Sequence, residues 1–412
     1  MRLSRRAFIA ATGAALGRRT AAMAAQPLLL RRGINLWPWF SLTREHPAPR
    51  TDYDWPPFQL DRPVPSARDL ALLRRAGFDF VRLPVDPGPF LAAPLSLRAA
   101  LLDQLTAAVT LARRQGLAVV VNLHANAATH HWTPERLFRG TGAPGFPAYR
   151  DLVEEVSGRL NRLGPQDLAF EPVNEPPQSC GATEWADVQR QLLAAARGVA
   201  PGLTLLATGA CGSMIAGLPA LRARPLAAFE PLLFTFHFYE PYVFSHQGAR
   251  WMSEPFYPVL NAVPWPAAQG DLATTLASVR ARMSALGQPP QGSGAATYRE
   301  AERVLKQYFE AQPARPFIEG YLRQVAEWAR REDIAPGRIL MGEFGALRSG
   351  AGVAAAGAAD RARYVRDVRE SAEALGFPWA FWNLFDSMGL MDDLSRRLDP
   401  AMVAVLGLKM PA

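Results

Sequence analysis

Phe170-Glu171-Pro172-Val173-Asn174-Glu175-Pro176 and Gly342-Glu343-Phe344-Gly345 each set a glutamate at the end of a strand-like apolar run. The runs are Asp167-Leu168-Ala169-Phe170 and Arg338-Ile339-Leu340-Met341. Parallel strands covered on both faces read as near-continuous apolar stretches rather than alternating ones. Eight such stretches occur, at 32–37, 79–85, 118–124, 168–172, 203–208, 232–239, 338–342 and 378–385. Amphipathic helical stretches separate most of them. The stretch 66–76 buries Leu70, Leu72 and Leu73, and 97–115 buries Leu101, Leu105, Val109 and Leu111. The stretches 148–163, 184–199 and 359–375 behave alike. Gly77, Gly116, Gly164, Gly202 and Gly376 stand where helix C-caps or the following turns belong. Eight β–α alternations predict an α/β fold, a (β/α)8 TIM barrel.

Two spacings depart from regularity. Residues 38–65 are rich in proline and aromatics and read as a long surface loop. A second excursion separates strands 6 and 7, between Glu240 and Gly337. Helical patterns at 272–286, 295–312 and 317–331 fill part of it. The last is expected to be the regular sixth barrel helix, which leaves 242–315 as an insertion on the catalytic face. Gln288-Pro289-Pro290-Gln291-Gly292-Ser293 reads as a link within it.

In such a barrel, polar residues at the C-terminal strand ends converge on one mouth. The first strand contributes Asn35, the second Arg82, and the third His124 and Asn126. The fourth contributes Asn174 and Glu175, the sixth His237 and Tyr239, the seventh Glu343, and the eighth Trp382 and Asp386. Two carboxyls at one rim suit glycosidic bond cleavage, in which one donates a proton and the other attacks the sugar. Glu343 must be ionised to attack, and Arg82 with the Tyr239 hydroxyl can hold that charge. Glu175 must start protonated; a nearby anionic Glu343 raises its pKa, and His237 can help move its proton. Asn174 can donate to a sugar 2-hydroxyl, and Trp382 offers a flat face to a pyranose ring.

The set Arg32-Gly33-Ile34-Asn35, Val81-Arg82-Leu83-Pro84, Asn122-Leu123-His124, Asn174-Glu175-Pro176, His237-Phe238-Tyr239, Glu343-Phe344-Gly345 and Trp382-Asn383 resembles glycoside hydrolase family 5, the cellulase-like retaining β-glycosidases. The resemblance spans about residues 32–386. It implies Glu175 as acid/base and Glu343 as nucleophile. It further implies Arg82, His124, Asn174, His237, Tyr239 and Trp382 around the attacked sugar, with Asn35 beside them. His237-Phe238-Tyr239-Glu240-Pro241 followed by Ser245-His246-Gln247-Gly248-Ala249 looks more like bacterial cellulase-type members than mannanases. The expected substrate is therefore a β-linked polysaccharide or oligosaccharide, first a β-1,4-glucan cleaved internally with retention. A mannan, a xylan-like glycan or an exopolysaccharide stands second. A non-catalytic carbohydrate-binding barrel is the alternative of another class, and the presence of both glutamates argues against it. Trp37, Trp39, Phe40, Trp55, Trp132, Trp251, Tyr257 and Trp265 fall in expected top-face loops. They read either as a row of exposed rings along a cleft or, for about half, as loop packing.

The remaining features bound the partners. The chain has 412 residues, 49% of them hydrophobic, which suits one large barrel. Its net charge is +8, but Arg2, Arg5, Arg6, Arg18 and Arg19 supply five of those charges within an acid-free N-terminus. Nucleic acid is thus a poor fit as partner. Ser4-Arg5-Arg6-Ala7-Phe8-Ile9, a modest apolar region to Gly17 and Ala22-Met23-Ala24 predict a twin-arginine-type signal peptide over 1–24. The catalytic domain would then occupy 25–412, exported to the periplasm or beyond and monomeric. No other apolar run is read as membrane-spanning. His124, His130 and His131 match no compact zinc pattern and show no acidic neighbour, so neither metal nor cofactor is expected. Cys180 and Cys211 follow the ends of neighbouring predicted strands. A disulfide is open to them after export, and two free, partly buried thiols are the favoured expectation.

Overall fold

The computed structural model describes residues 26–58, 62–350 and 353–411; the expected export segment over 1–24 lies outside them. Eight strands are present: β1 (Arg32–Asn35), β2 (Phe80–Val85), β3 (Ala118–Leu123), β4 (Leu168–Glu171), β5 (Thr204–Thr208), β6 (Leu232–Phe238), β7 (Ile339–Phe344) and β8 (Trp379–Phe381). They close in sequence order into one barrel, with β1 pairing in parallel with both β2 and β8. The (β/α)8 expectation holds.

The barrel interior is built in layers by the two-residue alternation of strands. Phe80, Val120, Ala169, Leu206, Leu233, Leu340 and Ala380, one from each of β2 to β8, form an apolar floor with Leu30. At β1 the floor position is Gly33, where a Cβ would stand 2.2 Å from the Phe80 ring; the glycine lets that ring fill the barrel. Two residues further along each strand come Asn35, Arg82, Asn122, Glu171, Thr208, Thr235, Gly342 and Trp382. This second layer is mostly polar and buried, and Asn35, Arg82, Asn122 and Thr235 are fully covered. The first tier of the site therefore lies one pleat above the floor.

A register shift in β7 sets the key side chain. Phe236 pairs with Met341 but His237 with Glu343, so β7 carries one extra residue there. Phe344 packs outside against Trp379 and Phe381. Simple alternation from Leu340 would turn Glu343 outward; the bulge turns it in. Gly342 makes this possible, because a Cβ there would meet Thr235 Oγ1 at 2.6 Å.

Helix Leu95–Arg114 is long and apolar enough to cross a membrane, with mean hydropathy 1.2. No run outside the export segment was expected to qualify. It is a barrel helix, whose Leu101, Leu102, Leu105 and Val109 are buried. Between β6 and β7 lie helices Tyr242–Ser245, Leu272–Ala285, Ala295–Ala311 and Arg315–Arg331. The last packs beside Ala358–Ala374 as a regular barrel helix, while Leu272–Ala285 and Ala295–Ala311 pack on each other. Trp265 anchors this excursion. Its indole is fully buried and donates to Asp367 at 2.9 Å, and its backbone N–H donates to Asp360 at 3.0 Å.

Of the two readings of the eight loop rings, packing for about half holds: Trp39, Phe40, Tyr257 and Trp265 are buried, and only Trp55 and Trp251 are broadly exposed. Two expectations need correction. Cys180 and Cys211 are not free thiols but form a disulfide, with their Cα atoms 4.6 Å apart. His130 does have an acidic neighbour: Glu45, from the loop after β1, contacts its Nδ1 at 2.8 Å and accepts from its backbone N–H. The Trp132 indole donates to the Thr51 carbonyl at 2.9 Å, so this ring ties two loops together rather than serving as an open platform.

Candidate active site

Arg82 organises the site. All five of its N–H donors are engaged. Nε and Nη2 grip Glu171 at 2.7 and 3.0 Å; Nη1 donates to Asn35 Oδ1 at 2.9 Å and Glu343 Oε1 at 2.8 Å; Nη2 also reaches Asn174 Oδ1 at 2.7 Å. A planar guanidinium fork can serve four acceptors in fixed directions where an ammonium cannot. Both Arg82 and Asn35 were expected to meet substrate. Both are fully buried, and the Asn35 amide also donates to the carbonyls of Gly342 and Phe381, so they hold the groups that face the cleft.

The two glutamates have different surroundings. Glu343 is 4% exposed; Arg82 holds one oxygen, and the Tyr239 hydroxyl donates to the other at 2.9 Å. Burial pushes Glu343 above the ordinary glutamate range, and His237 and Arg82 pull it back. Tyr239 is itself pushed well above its usual value, first by burial and then by the Glu343 charge, so it stays a donor. Glu175 follows the end of β4 and has one partner, His237 Nδ1, at 2.9 Å. Burial raises its pKa to about 7, against a weaker pull from Arg82. Its side chain is 47% exposed, so water in the open cleft screens part of that effect, and a bound sugar ring would remove the water. Two hydrogen bonds favour the charged form of Glu343 and none from a cation does so at Glu175.

His237 stands between them, 2.9 Å from Glu175 and 3.7 Å from Glu343 through the same Nδ1. Burial lowers its pKa, against an opposing pull from the Glu343 charge. One ligand atom each of Glu175, His237 and Glu343 lies within 4.8 Å of the others, the only metal-type cluster among the described residues. Within it, His237 Nδ1 is hydrogen-bonded to Glu175, and Arg82 and Tyr239 hold the Glu343 carboxyl.

Around this centre the other expected residues converge. Because Arg82 fixes Oδ1 of Asn174, its Nδ2 must point outward, 3.4 Å from His124 Nε2. Burial lowers His124 to about 3, which keeps it neutral. Trp37, His124 and Trp382 form a triangle of rings with centroids 5.3 to 5.8 Å apart, an apolar wall beside the carboxyls. Asp386 hydrogen-bonds the Trp37 side chain. Asn126 lines the same cleft, and its side chain caps its own loop, accepting from Ala128 N–H. The cleft beside Glu175 has a volume of about 430 Å³ and is lined by Trp37, Asp86, His124, Asn174, Glu175 and Gln178, among others.

Glu171 was not singled out in the sequence, although it lies in the opening stretch. An acidic residue inside an otherwise apolar strand, two residues past the floor residue Ala169, was the available clue. Ser213 was likewise missed. Its Oγ donates to the Asn174 carbonyl at 2.6 Å, and its carbonyl accepts from His237 N–H at 2.8 Å.

A closed parallel barrel whose rim brings two differently held carboxyls this close belongs to the two-carboxylate class of sugar-cleaving barrels. The chain is a member of glycosyl hydrolase family 5: the family's cellulase model matches residues 51–387. It is 24% identical over 242 residues to Endoglucanase 3 of Fibrobacter succinogenes, covering 58% of this chain and 33% of that one. It is 27% identical over 222 residues to Cellodextrinase A of Ruminococcus flavefaciens, covering 53% and 61%. The matched stretch thus spans less than two thirds of either relative. Among solved structures, Thermotoga maritima Cel5A in complex with cellobiose superposes with a TM-score of 0.66 at 19% identity, covering 92% of this chain and 97% of that one.

Proposed function

We propose that this chain is a retaining endo-β-1,4-glucanase, with Glu343 as nucleophile and Glu175 as acid/base. The observation that carries the reading is the unequal support of two carboxyls whose oxygens approach within 4.8 Å. A close approach of this kind suits direct attack, for which the carboxyl groups stand about 5–5.5 Å apart, better than the about 6.5–9.5 Å that an inverting enzyme keeps for its water. Arg82 and Tyr239 keep Glu343 anionic and aimed. Glu175, holding its proton to near neutrality, protonates the leaving oxygen. Once the glycosyl-enzyme has formed, the same group, with His237 against it, takes a proton from the attacking water. The outward Nδ2 of Asn174 has a second N–H, beyond the one facing His124, to give a sugar hydroxyl, and the Trp37–His124–Trp382 wall takes a pyranose face.

The glucan assignment is supported by the two curated relatives, whose names are those of glucan-cleaving enzymes. Mannan is the second reading, because Thermotoga maritima Cel5A has also been solved with mannotriose. Export through a twin-arginine signal over 1–24 belongs to the same proposal, since a polymer substrate lies outside the cell.

Azide tests the roles. Glu175→Ala acting on a dinitrophenyl β-glycoside should release a burst of phenol and then stall, because the leaving group needs no acid but water needs a base. Azide should restart turnover and give the β-glycosyl azide. Rescue confined to Glu343→Ala, with an α-azide product, would reverse the two assignments. Cello- and manno-oligosaccharides offered in parallel decide the substrate.

A further inference from the structure

Glu175 sits outside any helix or strand, on the segment that leaves β4. Its side chain has a single protein partner, so its aim depends on what fixes the segment and that partner. One short turn after β5 does both. Cys211 N–H donates to the Gln178 carbonyl at 2.9 Å, and Gly212 N–H to the Pro176 carbonyl at 2.9 Å. Ser213 Oγ donates to the Asn174 carbonyl, and the Ser213 carbonyl receives His237 N–H at 2.8 Å. The turn therefore holds the backbone on both sides of Glu175 and the backbone of its partner His237. Cys211, Gly212 and Ser213 all lie in the left-handed region, with φ of 67°, 62° and 59°. Two of the three are not glycine, and such a conformation persists only where the surroundings impose it. The Cys180–Cys211 disulfide joins the end of the Glu175 segment to the start of this turn. Cys211 and Gly212 themselves line the cleft.

We infer that the Cys180–Cys211 disulfide and the turn 211–213 form a clasp that positions Glu175 for proton transfer to the leaving group. The clasp residues are positioning residues: they act through Glu175 and His237. The inference rests on the acid/base reading of Glu175 given above.

The test compares Cys180→Ala, which breaks the bridge without altering a cleft-lining side chain, with the parent on two substrates, cellotetraose and dinitrophenyl β-cellobioside. The quantity read is kcat/KM, which reports steps through glycosyl-enzyme formation. A displaced acid costs only the substrate that needs one. Cellotetraose should lose roughly 10²-fold, the scale of a small misplacement of a catalytic group, while the dinitrophenyl glycoside stays within about twofold of the parent. The second substrate is also the check on folding. Ser213→Ala should show the same pattern more weakly. Equal losses on both substrates would overturn the inference in favour of general destabilisation; no loss on either would overturn it outright. Amide exchange needs no turnover: the protons of residues 211 and 212 should exchange faster in the cysteine variant with β2 and β3 unchanged, and unaltered protection would also refute the clasp. Glu175→Ala serves as reference. If it shows no dependence on leaving group, the acid assignment itself fails, and the clasp with it.

Discussion

Arg82→Lys would probe the site at its most connected point. The guanidinium makes five hydrogen bonds to four side chains, and all four acceptors are at least 96% buried. Lysine keeps the charge but has three donors radiating from one atom, so at least two of the five bonds are lost. Hydrogen bonds to charged groups contribute about 1.5–3 kcal/mol each, which gives a loss of about 3–6 kcal/mol in unfolding free energy by urea denaturation. The variant should also change the pH profile. Arg82 is one of the two groups that pull Glu343 down against burial, and a less well directed cation pulls less. Glu343 must be ionised to attack, so the acid limb of kcat/KM should move to higher pH. An Arg82→Lys protein within about 0.5 kcal/mol of the parent, with its acid limb unmoved, would refute the claim that this fork holds the site together.

Three further outcomes follow from the same structure. The basic limb of kcat/KM on cellotetraose should fall near neutrality, because Glu175 is active when protonated and is raised to about 7; activity is lost as pH rises through that value, and the dinitrophenyl glycoside, whose leaving group needs no acid, should lack this limb. Gly33→Ala would force a Cβ to within 2.2 Å of the Phe80 ring, so calorimetry should show destabilisation of about 1–3 kcal/mol, eased by combining it with Phe80→Leu. Replacing Arg5 and Arg6 by lysine should block export of the full chain, and normal export in cell fractionation would rule out the twin-arginine route.

How much of this was legible beforehand depends on whether a feature is local in the chain. Eight buried parallel strands declare themselves by composition, since both faces of each must be apolar, and the chain order of a barrel leaves little choice of topology. The rim residues were legible for a related reason: a polar residue closing an apolar run has nowhere to go but the barrel mouth. Asn35, Arg82, Asn174, Glu175, His237, Tyr239 and Glu343 all come together there. The division of labour among them was not legible. Period alone would turn Glu343 away from the site, and only the bulge in β7, paired against β6, turns it inward. Asn35 and Arg82 looked like sugar contacts, yet Glu171, Asn174, Glu343 and Asn35 take the donors of Arg82, and Arg82 with the Gly342 and Phe381 carbonyls takes the Asn35 amide. The disulfide and the turn that holds the Glu175 segment required the ends of β4 and β5 to be placed to within a few ångströms, which no sequence pattern encodes. Strand identity and the chemistry at each strand end are properties of short stretches, so the sequence by itself determined them. Register, burial and which charge answers which belong to contacts between residues far apart in the chain, 261 positions for Arg82 and Glu343 and 346 for Asn35 and Phe381, and only the closed barrel decided those.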